Sequence, residues 1–158
     1  MNKLIDDFRS ILRKNNAMVL STVSSRGNPQ CTLIVYVSDG ETLYAMTGER
    51  TQKVKNIKKN PHVSVTIPFY KSLLHKLVSK APPASIMFKA DAEIIPYTAE
   101  EPRNLFRQKM GIEPPDAPNE GHTWIRLIPR NRITCYGVGV PLWDMRTPEK
   151  ALKVIKLQ

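Results

Sequence analysis

Short β-rich segments separated by tight turn signals constrain the fold of this chain more than any other feature. Residues 17–23 and 31–37 flank Ser24 to Pro29, a stretch of turn-forming residues. A third β-rich segment, 42–47, follows the Asp39-Gly40 pair, and Asp-Gly supplies the positive φ that a tight hairpin requires. Three strands joined by short turns predict an antiparallel meander.

The rest of the chain adds short helices between further strands. Helical periodicity predicts helices over 4–14, 51–60, 71–80, 98–110 and from Thr147 onward, and β-rich alternation predicts strands over 62–67, 85–95, 122–128 and 133–138. The last two strands are separated by a turn signal at 129–131. Six or seven strands interrupted by short helices predict a closed or nearly closed antiparallel barrel of α+β class.

The length of the chain predicts one domain over 1–158, because no linker or internal repeat divides it. No apolar run is long enough to span a bilayer, and the first residues lack the apolar core of a signal peptide. We therefore expect a cytoplasmic protein without a membrane partner. Cys31 and Cys135 are too few and too far apart in sequence to predict a disulfide framework or a zinc site.

Positive charge is concentrated in the first half of the chain. The formal charge is +10 overall, and residues 1–80 hold 13 Lys+Arg against 5 acidic residues. A basic excess of this kind indicates an anionic partner, such as a phosphorylated cofactor, an acidic tail or nucleic acid. Part of the excess lies in a basic helical insert at about 69–83.

Motifs for acid–base, nucleophilic or metal catalysis are absent from the sequence. There is no Gly-x-Ser-x-Gly, His-Glu-x-x-His, Walker or Gly-x-Gly-x-x-Gly motif. His62, His75 and His122 fall in different predicted elements, where a lone histidine is more often structural. We therefore assign no catalytic side chain and no metal ligand.

The stretch from Leu43 to Ile57 carries the clearest chemical signal. A strand ends, Gly48 turns the chain, and a lysine-rich helix begins at Thr51. The sequence predicts a candidate phosphate site here, formed by helix amide groups, the Thr51 hydroxyl, the Lys53 ammonium and the nearby Arg50. The alternative is a solvated basic helix with an ordinary threonine cap.

The same stretch resembles the flavin-binding core of the pyridoxamine 5′-phosphate oxidase-like split β-barrel family. The matching pieces are Leu43-Tyr44-Ala45-Met46-Thr47, Thr51-Gln52-Lys53-Val54-Lys55-Asn56-Ile57, Asn60-Pro61 and Val63-Ser64-Val65. Upstream and downstream pieces fit in the same order, including Arg26-Gly27-Asn28-Pro29, Ala90-Asp91-Ala92-Glu93 and Trp124-Ile125-Arg126-Leu127. The resemblance implies a dimeric antiparallel split β-barrel of six to seven strands with short flanking helices.

The resemblance also implies a cofactor, FMN or in one branch the deazaflavin factor 420, at the interface of a homodimer. Carried over by position, the cofactor-binding residues are Gln30, Cys31, Thr32, Leu33, Thr47, Arg50, Thr51, Lys53 and Trp143. Thr51 and Lys53 would hold the phosphate with help from Arg50, and Thr47 would contact the ribityl chain or the ring edge. The strand that begins at Gln30 would lie along the isoalloxazine, mainly through backbone groups.

Trp143 of the other subunit would cover the ring, although an apolar side chain at this position is equally typical of an anchor for the last helix. Two departures argue against vitamin B6 oxidase activity. True pyridoxamine phosphate oxidases place an arginine where this chain has Gln30, and they carry a C-terminal Arg-x-His that is absent here.

Three functions remain open from the sequence. The leading one is an FMN-dependent oxidoreductase that transfers hydride or electrons between a nicotinamide or similar donor and a small acceptor. The alternative is a deazaflavin-dependent reductase, whose acidic cofactor tail would suit the basic first half. The third is a non-catalytic haem or flavin binder, with His62 or His75 as axial ligand. Nucleic-acid binding is not expected, because the basic segments 50–60 and 71–80 lack aromatic platforms.

Overall fold

The computed structural model describes residues 3–77, 80–115 and 121–157 and shows an α+β fold. The helices are α1 (Lys3–Lys14), α2 (Gln52–Lys59), α3 (Leu73–Leu77), α4 (Glu100–Met110) and α5 (Pro148–Ala151). The strands are β1 (Ala17–Val23), β2 (Pro29–Val35), β3 (Val37–Ser38), β4 (Leu43–Gly48), β5 (His62–Phe69), β6 (Ala84–Pro96), β7 (His122–Tyr136) and β8 (Leu152–Lys156). No helix among these residues is both long and apolar enough to cross a membrane.

One antiparallel sheet forms the body of the molecule. Its strands follow the order β2-β1-β5-β6-β7-β4-β3, and β8 pairs with β7 beside this path. The seven-stranded path confirms the split-barrel prediction. β8 was not predicted, because the helix beginning at Thr147 was expected to continue. That helix ends at Ala151, and Ile155 of β8 is buried opposite Ile133 of β7.

The predicted meander is confirmed at both of its turns but not along its middle strand. β1 pairs with β2 as expected, and β3 pairs with β4 around the Asp39-Gly40 turn, but β4 pairs along its whole length with β7 and not with β2. The strand is interrupted at Tyr36, whose N–H donates to the carbonyl of Asn16 at 2.9 Å, and β3 begins at the next residue. The two ends of the sheet path, β2 and β3, are therefore joined through Tyr36.

The turn predicted at 129–131 is a bulge inside a single long strand. Phe88 pairs with Ile133 and Ala90 pairs with Pro129, so Lys89 alone on β6 faces the residues from Arg130 to Arg132 on β7. The turn-forming residues thus interrupt the ladder without ending the strand, as β-bulges do.

Three apolar clusters among the described residues stabilise the sheet and its helices. The main core lies inside the curved sheet and includes Leu20, Val65, Ile86 and Ile125, which are buried on alternate strand positions. A second cluster covers the outer face of β4 and β7, where helix α4 packs against Trp124. The main core also contains Ile57, which packs α2 against the sheet, and the third, smaller cluster contains Ala84 of β6 and Met145.

The insert is anchored by a buried histidine. His75 of α3 is 1% exposed, its Nδ1 accepts from the Lys71 N–H, and its Nε2 lies 3.0 Å from the Pro82 carbonyl oxygen. The described part of the predicted 71–80 helix is shorter than expected, and residues 78 and 79 lie outside the described ranges.

Candidate cofactor-binding site

The candidate site lies where β4 gives way to helix α2. The connecting turn is fixed by backbone hydrogen bonds: Glu49 N–H donates to the Gly121 carbonyl at 2.8 Å, and Thr51 N–H donates to the Gly48 carbonyl at 3.2 Å. Gly121 immediately precedes β7, so the turn is held against the start of that strand. The first turn of α2 therefore has a defined position at the end of the sheet.

Thr51 is the N-cap residue of α2, but its hydroxyl does not cap the helix. Thr51 Oγ1 donates instead to the Gly48 carbonyl at 2.9 Å, and among the described residues no side-chain hydrogen bond caps the first turn of the helix. No acidic residue lies in that turn. Because the first amide groups of a helix have no intrahelical partner, this end of α2 presents free N–H donors and positive potential. That arrangement suits an anion.

The ammonium group of Lys53 reaches across to β4. Lys53 Nζ donates to Thr47 Oγ1 at 3.2 Å, and both side chains are shielded in part from solvent. Among the ion pairs of the described residues, none includes Lys53 or the exposed Arg50. The site therefore carries positive charge that no acidic side chain of the described chain neutralises.

A buried polar network holds α2 in place. Asn56 is 2% exposed, and its Nδ2 donates to Thr22 Oγ1 at 2.9 Å and to Gln30 Oε1 at 3.2 Å. Gln52 Nε2 donates in turn to Asn56 Oδ1 at 2.8 Å. Sequence reasoning gave Asn56 no role, although its place between the buried Val54 and Ile57 signals that it lies near the buried face.

The strand predicted to lie along the flavin ring presents two different faces. Gln30 and Thr32 are half-buried, and Gln30 joins the network beneath α2. Cys31 and Leu33 lie on the opposite, exposed face, and Leu33 is 72% exposed. A flat ligand lying on this strand would thus contact all four residues only through the backbone, which is how the prediction described it.

Trp143 does not meet the rest of the predicted residues within this chain. Its side chain is 75% exposed, immediately before a single 3-10 turn at Asp144–Arg146. The ring contacts found among residues 3–77, 80–115 and 121–157 do not include it. Such exposure excludes its alternative role as a packed anchor of the last helix.

The histidines named as haem ligands are engaged elsewhere. Both ring nitrogens of the buried His75 have partners. His62 Nδ1 lies 2.9 Å from Asp91 Oδ1 and 2.6 Å from Arg130 Nη2, which leaves only its Nε2 for another ligand. Within the described ranges, no group of three or more His, Cys, Asp or Glu side chains is arranged to hold a metal ion.

The family model described as pyridoxamine 5′-phosphate oxidase matches residues 4–130. Curated proteins gave no match to this chain. The family match spans β1 to β6 and the first part of β7, and it includes all of the predicted cofactor residues except Trp143.

Solved structures with the same fold carry different names. An F420 reductase has a TM-score of 0.58 at 22% identity, covering 77% of this chain and 92% of that one. HutZ, the haem storage protein from Vibrio cholerae, has a TM-score of 0.60 at 17% identity, with coverages of 86% and 94%. A FAD-binding protein from Mesorhizobium loti has a TM-score of 0.61 at 16% identity, with coverages of 85% and 94%. Likeness at these identities shows the fold alone.

Proposed function

Because this chain belongs to the pyridoxamine 5′-phosphate oxidase family, we propose that it is an FMN-binding oxidoreductase. It would transfer electrons between a nicotinamide or similar donor and a small acceptor. The observation that carries the proposal is the start of α2, where uncapped amide groups, no acidic residue and the unneutralised Lys53 lie together. These are the donors that a phosphate monoester requires.

The residues present fit the phosphate end of FMN. Lys53 and the first amide groups of α2 would bind the phosphate. Thr51 Oγ1 lies beside these groups and keeps lone pairs that can accept a further hydrogen bond. Arg50 adds positive charge on the solvent side. Thr47, already in contact with Lys53, would orient the ammonium and meet the ribityl chain. The network around Asn56 keeps the helix start from shifting when the ligand binds.

Bound FMN supplies the two-electron and one-electron chemistry, so the chain needs no acid–base pair of its own. The role of the protein is to bind the phosphate, align the ring along the strand that begins at Gln30, and exclude water from it. Vitamin B6 oxidase activity is not part of this proposal. Gln30 stands in place of the family arginine and accepts a hydrogen bond from Asn56.

A homodimer would complete the site. Leu33 and Val35 are 72% and 53% exposed on the outer face of β2, a terminal strand of the sheet path, and Trp143 is equally open. Large apolar side chains exposed beside a predicted ligand strand are typical of an interface. We propose that a second copy covers this face and brings its Trp143 over the ring.

Deazaflavin and haem are the two alternative cofactors to be tested beside FMN. A deazaflavin also carries a phosphate, which the start of α2 would bind equally well, and one relative with this fold is named an F420 reductase. Haem is the third candidate because HutZ has the same fold. Of the two histidines proposed as axial ligands, only His62 has a ring nitrogen, Nε2, that is free to bind the haem iron.

The test is an absorbance titration of the purified chain with FMN, with deazaflavin and haem in parallel. Lys53→Ala is expected to weaken FMN binding by about 1.5–3 kcal/mol, or roughly 10- to 150-fold, because a charge-assisted hydrogen bond to the phosphate is lost. Lys58→Ala is the matched control, since it removes one exposed lysine from the same helix. Equal FMN affinities of the two variants would remove Lys53 from the site, and saturable binding of another cofactor alone would replace FMN.

A further inference from the structure

A second basic region lies on the outer face of β5, β6 and β7, away from the start of α2. It is a groove of about 640 Å³. Its polar lining residues are Ser64, Thr66, Lys89, Arg130, Arg132 and Thr134. None of the residues assigned to the FMN site lines it. The volume lies within the range of small-molecule sites, about 300–1,000 Å³.

The bulge in β7 brings the positively charged side chains of the groove close together. Opposite Lys89 on β6 stand the residues from Arg130 to Arg132, where a regular ladder would place one. Both arginines line the same groove as Lys89. On its other side Lys89 pairs directly with Ser64 of β5. Bulges commonly redirect side chains beside functional sites, and here the bulge brings three cations to one surface.

The three cations are not equally neutralised. Arg130 is held by Asp91, with Nε 3.1 and 3.0 Å from the two carboxylate oxygens and Nη2 2.6 Å from Oδ1. Among the ion pairs of residues 3–77, 80–115 and 121–157, none contains Lys89 or Arg132. Like charges across neighbouring strands destabilise a sheet, and a bound anion removes that repulsion.

Hydroxyl groups complete the donor set. Ser64, Thr66 and Thr134 line the groove, and no side-chain hydrogen bond within the described ranges involves them. Thr66 and Thr134 both stand opposite Met87, one on each side of β6, so the apolar methionine forms the floor between two donors. Cations and hydroxyl donors around a short apolar floor match a phosphorylated small molecule.

We propose that this groove binds a small ligand carrying a diphosphate or a similar multiply charged phosphate group. Lys89 and Arg132 bind the charged oxygens, the hydroxyl groups donate to them, and the Asp91-bound Arg130 forms one end of the groove. The groove shares no lining residue with the proposed FMN site, and the strand pairing places Thr66 two strands away from Leu33 on the same outer face of the sheet.

The test is calorimetric titration of the full chain with inorganic pyrophosphate at constant ionic strength. The double variant Lys89→Ala/Arg132→Ala is expected to bind at least about tenfold more weakly, because two charge-assisted contacts are lost. The matched control Lys55→Ala/Lys58→Ala removes the same charge from exposed positions of α2 and is expected to change the affinity by less than about threefold. Thr134→Val, which keeps every charge, is expected to weaken binding by roughly threefold or more through loss of one hydroxyl donor.

The titration of Lys53→Ala separates this proposal from the preceding one. Pyrophosphate binding that survives Lys53→Ala and is lost in the groove variant supports the groove, whatever becomes of FMN. Three results would overturn it: no saturable binding, equal weakening by the groove and control double variants, or complete loss of binding in Lys53→Ala. A groove variant that alters the oligomeric state in size-exclusion chromatography without changing the affinity would also overturn it, and would identify the groove as an interface between copies.

Discussion

The two basic regions of this molecule are built in opposite ways. At the start of α2, the buried Asn56 bonds to the buried Thr22 and the half-buried Gln30, and the positive charge comes from the partly shielded Lys53 and the exposed Arg50. In the groove above the β7 bulge, the three cations are exposed and the two threonines are half-buried, and of the cations only Arg130 has an acidic partner among the described ion pairs. The first region is preorganised for a ligand of fixed shape, whereas the second attracts charge and leaves its donors free to adjust.

Substitution of Asn56 gives the most direct test of the contrast between the two regions. Asn56→Ala is expected to lower the free energy of unfolding by about 1–3 kcal/mol, because it leaves the buried hydroxyl of Thr22 without its partner. Urea unfolding followed by far-UV circular dichroism measures the loss.

The corresponding substitution in the groove is Thr66→Ala, which removes one polar side-chain group from that region. It is expected to change the unfolding free energy by less than about 1 kcal/mol, since this hydroxyl has no partner among the described contacts. Similar losses in the two variants would contradict the contrast between a fixed and an open region.

Asp91 offers a sharper distinction between the regions. Asp91→Asn removes the carboxylate that neutralises Arg130, so pyrophosphate affinity is expected to rise by roughly three- to tenfold while FMN affinity stays unchanged. Parallel calorimetric titrations with the two ligands measure both. A fall in pyrophosphate affinity would show that Asp91 positions Arg130 for the anion rather than competing with it.

The smallest expected effect is a pH dependence at the edge of the groove. Hydrogen bonds from Arg130, and then from His62, lower the pKa of Asp91 from its ordinary value of 3.8. The folded state therefore favours the carboxylate, and its contribution to stability is present above pH 3.8 and is lost as the pH falls below it. The effect is small because both partners are exposed.

Urea unfolding of the wild type and of Asp91→Asn between pH 5 and pH 2.5 measures this dependence. The wild type is expected to lose slightly more stability over this range than the variant. Identical slopes would show that the Asp91–Arg130 pair contributes nothing measurable to stability.

The sequence predicted the strand, turn and helix of the α2 region because these elements are close together along the chain. Thr47, Thr51 and Lys53 fall within one strand–turn–helix unit, and the structure places the Lys53 ammonium on the Thr47 hydroxyl. The sequence did not predict the role of Asn56 in this region. Its hydrogen-bond partners, Thr22 and Gln30, lie in a different hairpin. Long-range partners of a buried amide leave no local pattern.

The groove could not be predicted because its residues are even farther apart along the chain. Ser64, Lys89 and Arg132 come from three strands, and a bulge sets their relative positions. In the sequence the bulge was indistinguishable from a turn, because Pro129 and Asn131 favour both. β8 was missed because the helix signal at Thr147 outweighed the β-branched Val154 and Ile155, whose strand character depends on pairing with β7.

The junction at Tyr36 has a mechanical consequence. Val35 and Val37 are two residues apart, so their Cα atoms stay within about 7.6 Å, and the peptide chain itself ties β2 to β3. The rolled sheet cannot come apart along this line while the chain is intact, and it must first open at a hydrogen-bonded ladder. The shortest ladder on the path between full strands joins Val19–Ser21 of β1 to β5, whereas β5 and β6 pair along all of His62–Phe69. When the sheet opens locally, we therefore expect the amide protons in the hydrogen bonds between β1 and β5 to exchange with solvent first.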